Sequence, residues 1–314
     1  MTFVDWVDET REMFDRHPPL DAAKYATGEL VTGAARRVGG RINYGTPHWE
    51  RGDWDVLVVL DACRSDLFRE VARETSWIDD GDVETHVSAA SMSHEWLQRM
   101  TAEKYRDQMA ETALVTGNPF TREDCVREDD WWHLDEVWRR SWSHEEGTVL
   151  PRPVTDGAIH AHRGGADRVI AWYMQPHEPF VPVDWSEGYD RRDGFGQAAQ
   201  EEDDRSSWYQ YRDGGLQYEE LWTAYRKNLE FVLEEVELLL ENVEGDVVIS
   251  ADHANALGEW GVFGHPRNSW VPAAKRVPWL ELESTDQETY EPDPLPAPDD
   301  EADIDAQLEA LGYK

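Results

Sequence analysis

Two kinds of hydrophobic pattern alternate along the chain. Short, continuously apolar runs occur in DVLVVLDA (55–62), TALVT (112–116), DRVIAWYMQPHEPF (167–180) and DVVISADH (246–253). Runs of that length without polar alternation predict strands buried on both faces of a parallel sheet. Between them lie segments with helical spacing: CRSDLFREVARE (63–74), HEWLQRM (94–100) with Trp96, Leu97 and Met100 on one face, and YEELWTAYRKNLEFVLEEVELLLENV (218–243). The economical architecture is α/β, a mostly parallel central sheet with helices on both faces. Short helical stretches and a Gly/Asn/Pro loop make residues 1–50 a lead-in, residues 51–285 carry the main domain, and residues 286–314 form an acidic tail with a short helix at DIDAQLEALGYK. Residues 121–166 show no clear period and predict an irregular insertion or cap with a short helix near LDEVWRRSW. Residues 184–217 are polar and acidic and predict a loop or lid.

Composition narrows the partners. The 314 residues include 66 acidic and 30 basic ones, a formal net charge of −36, and only five of the basic residues are Lys. A chain so charged is repelled by nucleic acid and by anionic membrane surfaces. Acids dispersed among intact hydrophobic runs, with scarce Lys, resemble proteins of salt-accumulating archaea, so the expectation is a halophilic protein that loosens in dilute buffer. Two cysteines, Cys63 and Cys125, are too few for a disulfide framework or a zinc ribbon. The N-terminal segment MTFVDWVDETREMF lacks a signal pattern, and no apolar stretch approaches the ~20 residues of a membrane span. The expected location is cytoplasmic.

The chemistry gathers where the strands end. In open α/β sheets, ligand sites form at the carboxyl edge of the strands. Here separate apolar runs finish on Asp61, on His177 and on the pair Asp252-His253, and His265 follows between Gly264 and Pro266. Mixed Asp and His donors suit a divalent cation of intermediate hardness, Mn²⁺ or Zn²⁺, with Mg²⁺ and Ca²⁺ less well matched. A metal beside a hydroxyl makes that hydroxyl a nucleophile near neutral pH. The turn SAASMS supplies the hydroxyl: Ser93, at the start of the HEWLQRM helix, or Ser91 two residues earlier.

Together, VVLDACRSD, the Ser turn some thirty residues later, YMQPHEPF and VVISADHANALGEWGVFGHP resemble the alkaline phosphatase and sulfatase superfamily. Within it, the match is to the sulfatase-like branch of lipoteichoic acid synthases, phosphoethanolamine transferases and haloarchaeal sulfatase-like proteins. The resemblance covers roughly residues 50–285. It implies an alkaline-phosphatase-like fold in which Asp61, Asp252 and His253 hold a divalent metal with Ser93 as the metal-bound nucleophile. His177 and His265 would face the substrate or help hold a second metal, and Arg64 would neutralise a phosphoryl or sulfuryl oxygen. The implied substrate is a small-molecule, glycan-linked or lipid-linked phosphate or sulfate ester. The sulfatase signature C/S-x-P-x-R is missing, since Cys63 is followed by Arg-Ser-Asp, which favours phosphate over sulfate. The usual nucleophile of the branch is Thr, and its common DHGE reads DHAN here, with Ala254 and Asn255. These departures leave open a catalytically silent binding relative.

Overall fold

The computed structural model describes residues 43–122, 125–183 and 206–296, with Arg11, Gln307 and Leu311 besides. The lead-in helices expected within 1–42, the part of the lid at 184–205 and the terminal helix, apart from Gln307 and Leu311, lie outside the described residues. Seven strands build the central sheet: β1 Val56–Leu60, β2 Glu84–Val87, β3 Thr112–Thr116, β4 His133–Glu136, β5 Arg168–Tyr173, β6 Gly245–Ser250 and β7 Arg276–Ser284. Their spatial order is β2-β7-β6-β1-β5-β3-β4. Strands β6, β1, β5, β3 and β4 run parallel, and β7 runs antiparallel to both β6 and β2.

Each central strand feeds two cores because its side chains alternate across the sheet. Val56, Val58 and Leu60 of β1 enter one core with Val169, Ala171 and Tyr173 of β5, while Leu57, Val59, Ile170 and Trp172 enter the other. The helices are α1 Ser65–Ala72, α2 Ser93–Met100, α3 Arg106–Ala110, α4 Val137–Arg140, α5 Pro151–Arg163, α6 Ser207–Arg212 and α7 Tyr218–Leu240. Helices α1, α5 and α7 cover the first face, and α2 and α3 cover the second. The mostly parallel, two-sided α/β architecture is therefore as the hydrophobic pattern predicts. Among the described residues, no helix is long and apolar enough to cross a membrane.

Several elements differ from the expectation. Residues 121–166 are not an irregular cap: besides the short helix expected near LDEVWRRSW, which is α4, they supply the edge strand β4 and the thirteen-residue α5. Helix α5 escapes a periodicity reading because Pro151, Pro153, Gly157 and three polar residues interrupt its apolar face, yet Val154, Ala158, Ile159 and Ala161 are buried. Within the expected lid, residues 207–212 form α6, held by the N–H of Ser207 donating to Glu178 Oε2 at 2.8 Å. Strand β2 is short and polar, Glu-Thr-His-Val at the sheet's edge, and β7 carries Pro278 in its apolar run before Glu and Leu alternate, so neither reads as a buried strand. The Trp-rich segment packs: Trp131 and Trp138 are buried in opposite cores.

A hydrogen-bond chain fixes the Ser93 helix α2 against the sheet. The Trp96 indole of α2 donates to His48 Nδ1 at 3.1 Å. His48 therefore carries its proton on Nε2 and donates to Ser250 Oγ at 3.0 Å, and Ser250 donates in turn to Pro278 O at 2.8 Å. The chain links α2, β6 and β7, and it requires a neutral imidazole. Burial, then the neighbouring His86, holds His48 well below the ordinary histidine range. Burial and the Arg51 charge hold His86 down to about 4. Both folded-state values lie below the unfolded one, so the unfolded chain binds more protons in acid. Stability is full above pH ~6.5 and falls as the pH drops toward 4, by up to about 1.4 kcal/mol per pH unit for each histidine. Urea titrations at several pH values should show this slope, and His48→Gln should flatten it while lowering stability near neutrality.

Candidate active site

Parallel strands point their carboxyl ends the same way, so β6, β1, β5 and β3 deliver their following residues to one edge. Asp61 follows β1, Asn118 follows β3, His177 follows β5, and Asp252 and His253 follow β6. Asp61, Ser93, Asp252 and His253 have no solvent exposure. Ser93 is the first residue of α2, with extended Met92 before it. Its hydroxyl donates to Asp252 Oδ2 at 2.7 Å and lies 3.3 Å from both Asp61 Oδ2 and His253 Nε2.

The turn after β1 shapes the site. Ala62 has φ 60°, a left-handed conformation that costs an alanine energy. That conformation turns the Ala62 N–H onto Asp252 Oδ1 at 3.0 Å, and the Tyr225 hydroxyl of α7 caps the Ala62 carbonyl. The His253 N–H also donates to Asp252 Oδ1, at 2.8 Å. One oxygen of Asp252 is thus saturated by backbone donors, and the other faces Ser93.

The donor set asks for a cation. His253 Nδ1 lies 3.3 Å from the Ala254 carbonyl, where only an N–H is favourable, so its Nε2 presents a lone pair. That lone pair points at Asp252 Oδ2, 3.4 Å away, and Asp61 Oδ1, 3.6 Å away. Among the described residues Asp61 Oδ1, though buried, has no hydrogen-bond partner. Burial and the Asp252 charge push the Asp61 carboxyl well above the usual carboxylate range. Lone pairs and two carboxylates converging where solvent does not reach is a costly arrangement unless a positive charge sits among them. In a tetrahedral site with metal bonds of about 2.0–2.1 Å, donor atoms lie about 3.3 Å apart. Ser93 Oγ lies 3.3 Å from Asp61 and His253, and His253 Nε2 lies 3.4 and 3.6 Å from Asp252 and Asp61, close to that spacing, while Ser93 Oγ and Asp252 Oδ2 are hydrogen-bonded at 2.7 Å. The residues fit a divalent cation.

His177 and His265 form a second, adjacent pair. His177 Nδ1 donates to the Glu178 carbonyl at 2.6 Å, which leaves its Nε2 as acceptor 3.1 Å from His265 Nε2. His265 therefore donates through Nε2. The His265 ring also lies 4.6 Å from that of His253, which joins the two halves of the site. Burial lowers His177 to about 4 and holds His265 well below the ordinary histidine range, so the pair is neutral near pH 7. Asn228 of α7 anchors the turn, donating to His177 O at 2.9 Å.

Three residues settle differently from a reading of the motifs. Asn118, overlooked in the turn-forming GNP, donates to Asp61 Oδ2 at 2.7 Å, and its own oxygen accepts from Phe120 N–H, which fixes the amide orientation. Its position at the end of a third parallel strand is the signal that could have found it. Arg64 is not brought into the group. It pairs with Asp66 and Glu259 at 2.6 and 2.9 Å and donates to Asn255 O at 2.7 Å, bracing the loop after β6. Ser91 faces away from the cluster, donating to Pro266 O and accepting from Ser269 N–H, both at 2.9 Å. Cys63 is buried and burial pushes its thiol up, as expected of a small hydrophobe.

Removing charge at Asp61 tests the cation requirement. Asp61→Asn should raise the melting temperature of chelator-treated protein, by about 2–4 °C per kcal/mol of repulsion relieved. The same change should abolish the melting-temperature gain that Mn²⁺ or Zn²⁺ gives the wild type.

No family model and no curated protein matches the sequence. Among solved structures, the chain is similar to the soluble domain of lipooligosaccharide phosphoethanolamine transferase A from Neisseria meningitidis, at 14% identity and a TM-score of 0.47 over 73% of this chain and 76% of that one. It is similar to the C-terminal periplasmic domain of EcEptC from Escherichia coli in complex with Zn, at 13% identity and 0.46 over 75% and 74%. A protein of the alkaline phosphatase superfamily from Vibrio parahaemolyticus aligns at 12% identity and 0.40 over 90% and 74%. The first of these belongs by name to the branch that the motifs of this chain resemble, and the last to its superfamily.

Proposed function

We propose that this chain is a metal-dependent hydrolase or transferase of phosphate esters, monoester or diester, with Ser93 as its nucleophile. The observation that carries the reading is the Ser93 hydroxyl, buried within hydrogen-bond reach of Asp252 and 3.3 Å from Asp61 and His253. Asp61, Asp252 and His253 would hold the cation, Mn²⁺ or Zn²⁺ by donor type, which supplies Lewis acidity and lowers the pKa of the serine hydroxyl.

The chain's own residues account for the remaining steps. The Ser93 hydroxyl points its proton at Asp252 Oδ2, 2.7 Å away, until the serine ionises and releases that proton to solvent. The first N–H groups of α2 face the incoming anion and favour its negative charge. As the Ser93 Oγ–P bond forms, the ester P–O bond breaks opposite it; the His265 Nε2–H, shared with His177 Nε2, hydrogen-bonds the departing alkoxide, which takes its proton from water. His177, held by Glu178 O and Asn228, orients His265 through the 3.1 Å contact. Water or an acceptor alcohol then attacks the phosphoserine and restores Ser93. Asn118 and the backbone donors on Asp252 keep the carboxylates in place through both halves.

The test compares aryl phosphodiester, aryl phosphomonoester and aryl sulfate hydrolysis in molar KCl with added Mn²⁺ or Zn²⁺. Ser93→Ala should lose at least about a thousandfold in kcat, while the melting-temperature gain on adding metal persists. Sulfate turnover without phosphoester turnover would replace the substrate class. A second reading, a silent binding relative, draws on Asn255: it stands where the resemblance expects a carboxylate, and its buried amide has no hydrogen-bond partner among the described residues. A folded, metal-loaded protein that turns over none of the three would favour that reading.

His265→Ala separates stabilisation of the leaving oxygen from structure. Its kcat should fall about 10²–10³-fold for an alkyl phosphate ester and far less for a nitrophenyl ester, whose anion leaves readily. An equal loss on both substrates would remove His265 from that role.

A further inference from the structure

A cleft of about 680 Å³ lies outside the buried site, walled by Arg69, Thr85, Trp260, Pro272 and Arg276, with the Arg64 pairs at its floor. Its charge runs against the chain. Overall, acids outnumber bases 66 to 30, yet the charged lining of this cleft is three arginines against Asp66 and Glu259. Arg64 answers both carboxylates. Arg69 spends its donors on neutral groups, Val83 O and Ser65 Oγ, and Arg276 is exposed at the cleft wall. Three arginines against two carboxylates leave the lining with one net positive charge, and the Arg69 and Arg276 guanidiniums are where a ligand anion would meet it.

Trp260, 60% exposed, lines the cleft, and two further exposed aromatic side chains, Trp270 at 40% and Tyr44 at 44%, adjoin it in turn. The two indoles lie 5.8 Å apart at 74°, and the Tyr44 hydroxyl donates to Trp270 O at 2.8 Å. Trp260 has φ 56° and ψ 24°, a left-handed conformation that bulky residues rarely adopt. The loop accepts that strain to hold an indole in solvent, where burial returns nothing. Such a cost points to a ligand.

We infer that this cleft binds an acidic saccharide, whose ring stacks on Trp260 and whose carboxylate or ester anion meets Arg276 and Arg69. A sugar has an apolar C–H face for an indole and hydroxyls for Thr85 and Glu259. A saccharide with one or two charges fits within this local positive patch, whereas a nucleic acid or anionic bilayer would extend past it into the field of a chain at −36. Both rim segments are bolted to the active site. The Ser269 N–H beside Trp270 donates to Ser91 Oγ in the nucleophile turn, and Glu259 beside Trp260 pairs with Arg64, three residues after Asp61. A bound saccharide therefore sits against the elements that carry Ser93 and Asp61. The inference does not depend on the phosphoester reading, because binding can be measured in Ser93→Ala protein that turns nothing over.

The experiment is saturation-transfer NMR on the full chain, wild type and Ser93→Ala, at the lowest KCl that preserves its circular dichroism. The probes are a glucuronate-containing disaccharide and neutral cellobiose. The acidic disaccharide should bind more tightly than cellobiose, with transfer strongest at its ring C–H protons. Trp260→Ala should weaken binding at least tenfold, Trp260→Phe should retain most of it, and Arg276→Gln should reduce the acidic sugar to the level of cellobiose. Circular dichroism of each variant separates lost binding from lost fold, and Trp270→Ala replaces Trp260→Ala if the latter does not fold. No transfer to either sugar in folded wild type, equal binding of the two, or binding unaffected at Trp260 would overturn the inference. Trp260-dependent sedimentation with phosphatidylcholine vesicles, without a sugar signal, would assign the rim to lipid instead.

Discussion

Two carboxylates buried side by side, Asp61 and Asp252, set the terms for the rest of the molecule. Neither has solvent exposure, and one oxygen of Asp61 lacks a hydrogen-bond partner among the described residues. Such a pair is tolerable only with backbone donors, neighbouring amides and a positive charge to offset the repulsion. Each of those supports comes from a different part of the fold: Ala62 after β1, Asn118 after β3, the His253 N–H after β6 and Ser93 from α2. The sheet order brings these sources together, and a change in the order of the parallel strands would scatter them.

The surrounding structure is correspondingly stiff. The chain Trp96, His48, Ser250 and Pro278 ties the Ser93 helix to two strands. Tyr225 and Asn228, one turn apart on α7, hold the Ala62 and His177 carbonyls. A single long helix thus sets the positions of both halves of the site, the carboxylate cluster and the histidine pair. Placing these supports on regular elements holds the donor atoms of the cluster at their separations of 2.7 to 3.6 Å.

Charge is distributed with equal care. A surface rich in acids repels anions at long range, so an anionic substrate depends on local positive charge. Two places can supply it: a divalent cation held by the donor cluster, and the cleft of Arg69 and Arg276. Arg64 serves neither directly. Its pairs with Asp66 and Glu259 and its bond to Asn255 O hold the loop between them.

Much of the site was legible in the sequence because parallel strands are marked by continuous apolar runs, and the residues just beyond the runs must share one edge of the sheet. Asp61, Asp252, His253 and His177 come from that rule, and Ser93 from its place at a helix start. Asn118 was hidden because GNP reads equally well as an ordinary turn, and β2, β4, β7 and α5 because edge strands and interrupted helices lack a clean period. By itself the sequence determined the strand ends and their donor chemistry, since local pattern and residue type suffice for both. Only the tertiary structure decided that Ser93 rather than Ser91 faces the carboxylates, that Arg64 is a brace, and that Trp260 stands beside Arg276. Those outcomes depend on which side of a turn a side chain leaves and on which distant segment meets it, and no local pattern encodes either.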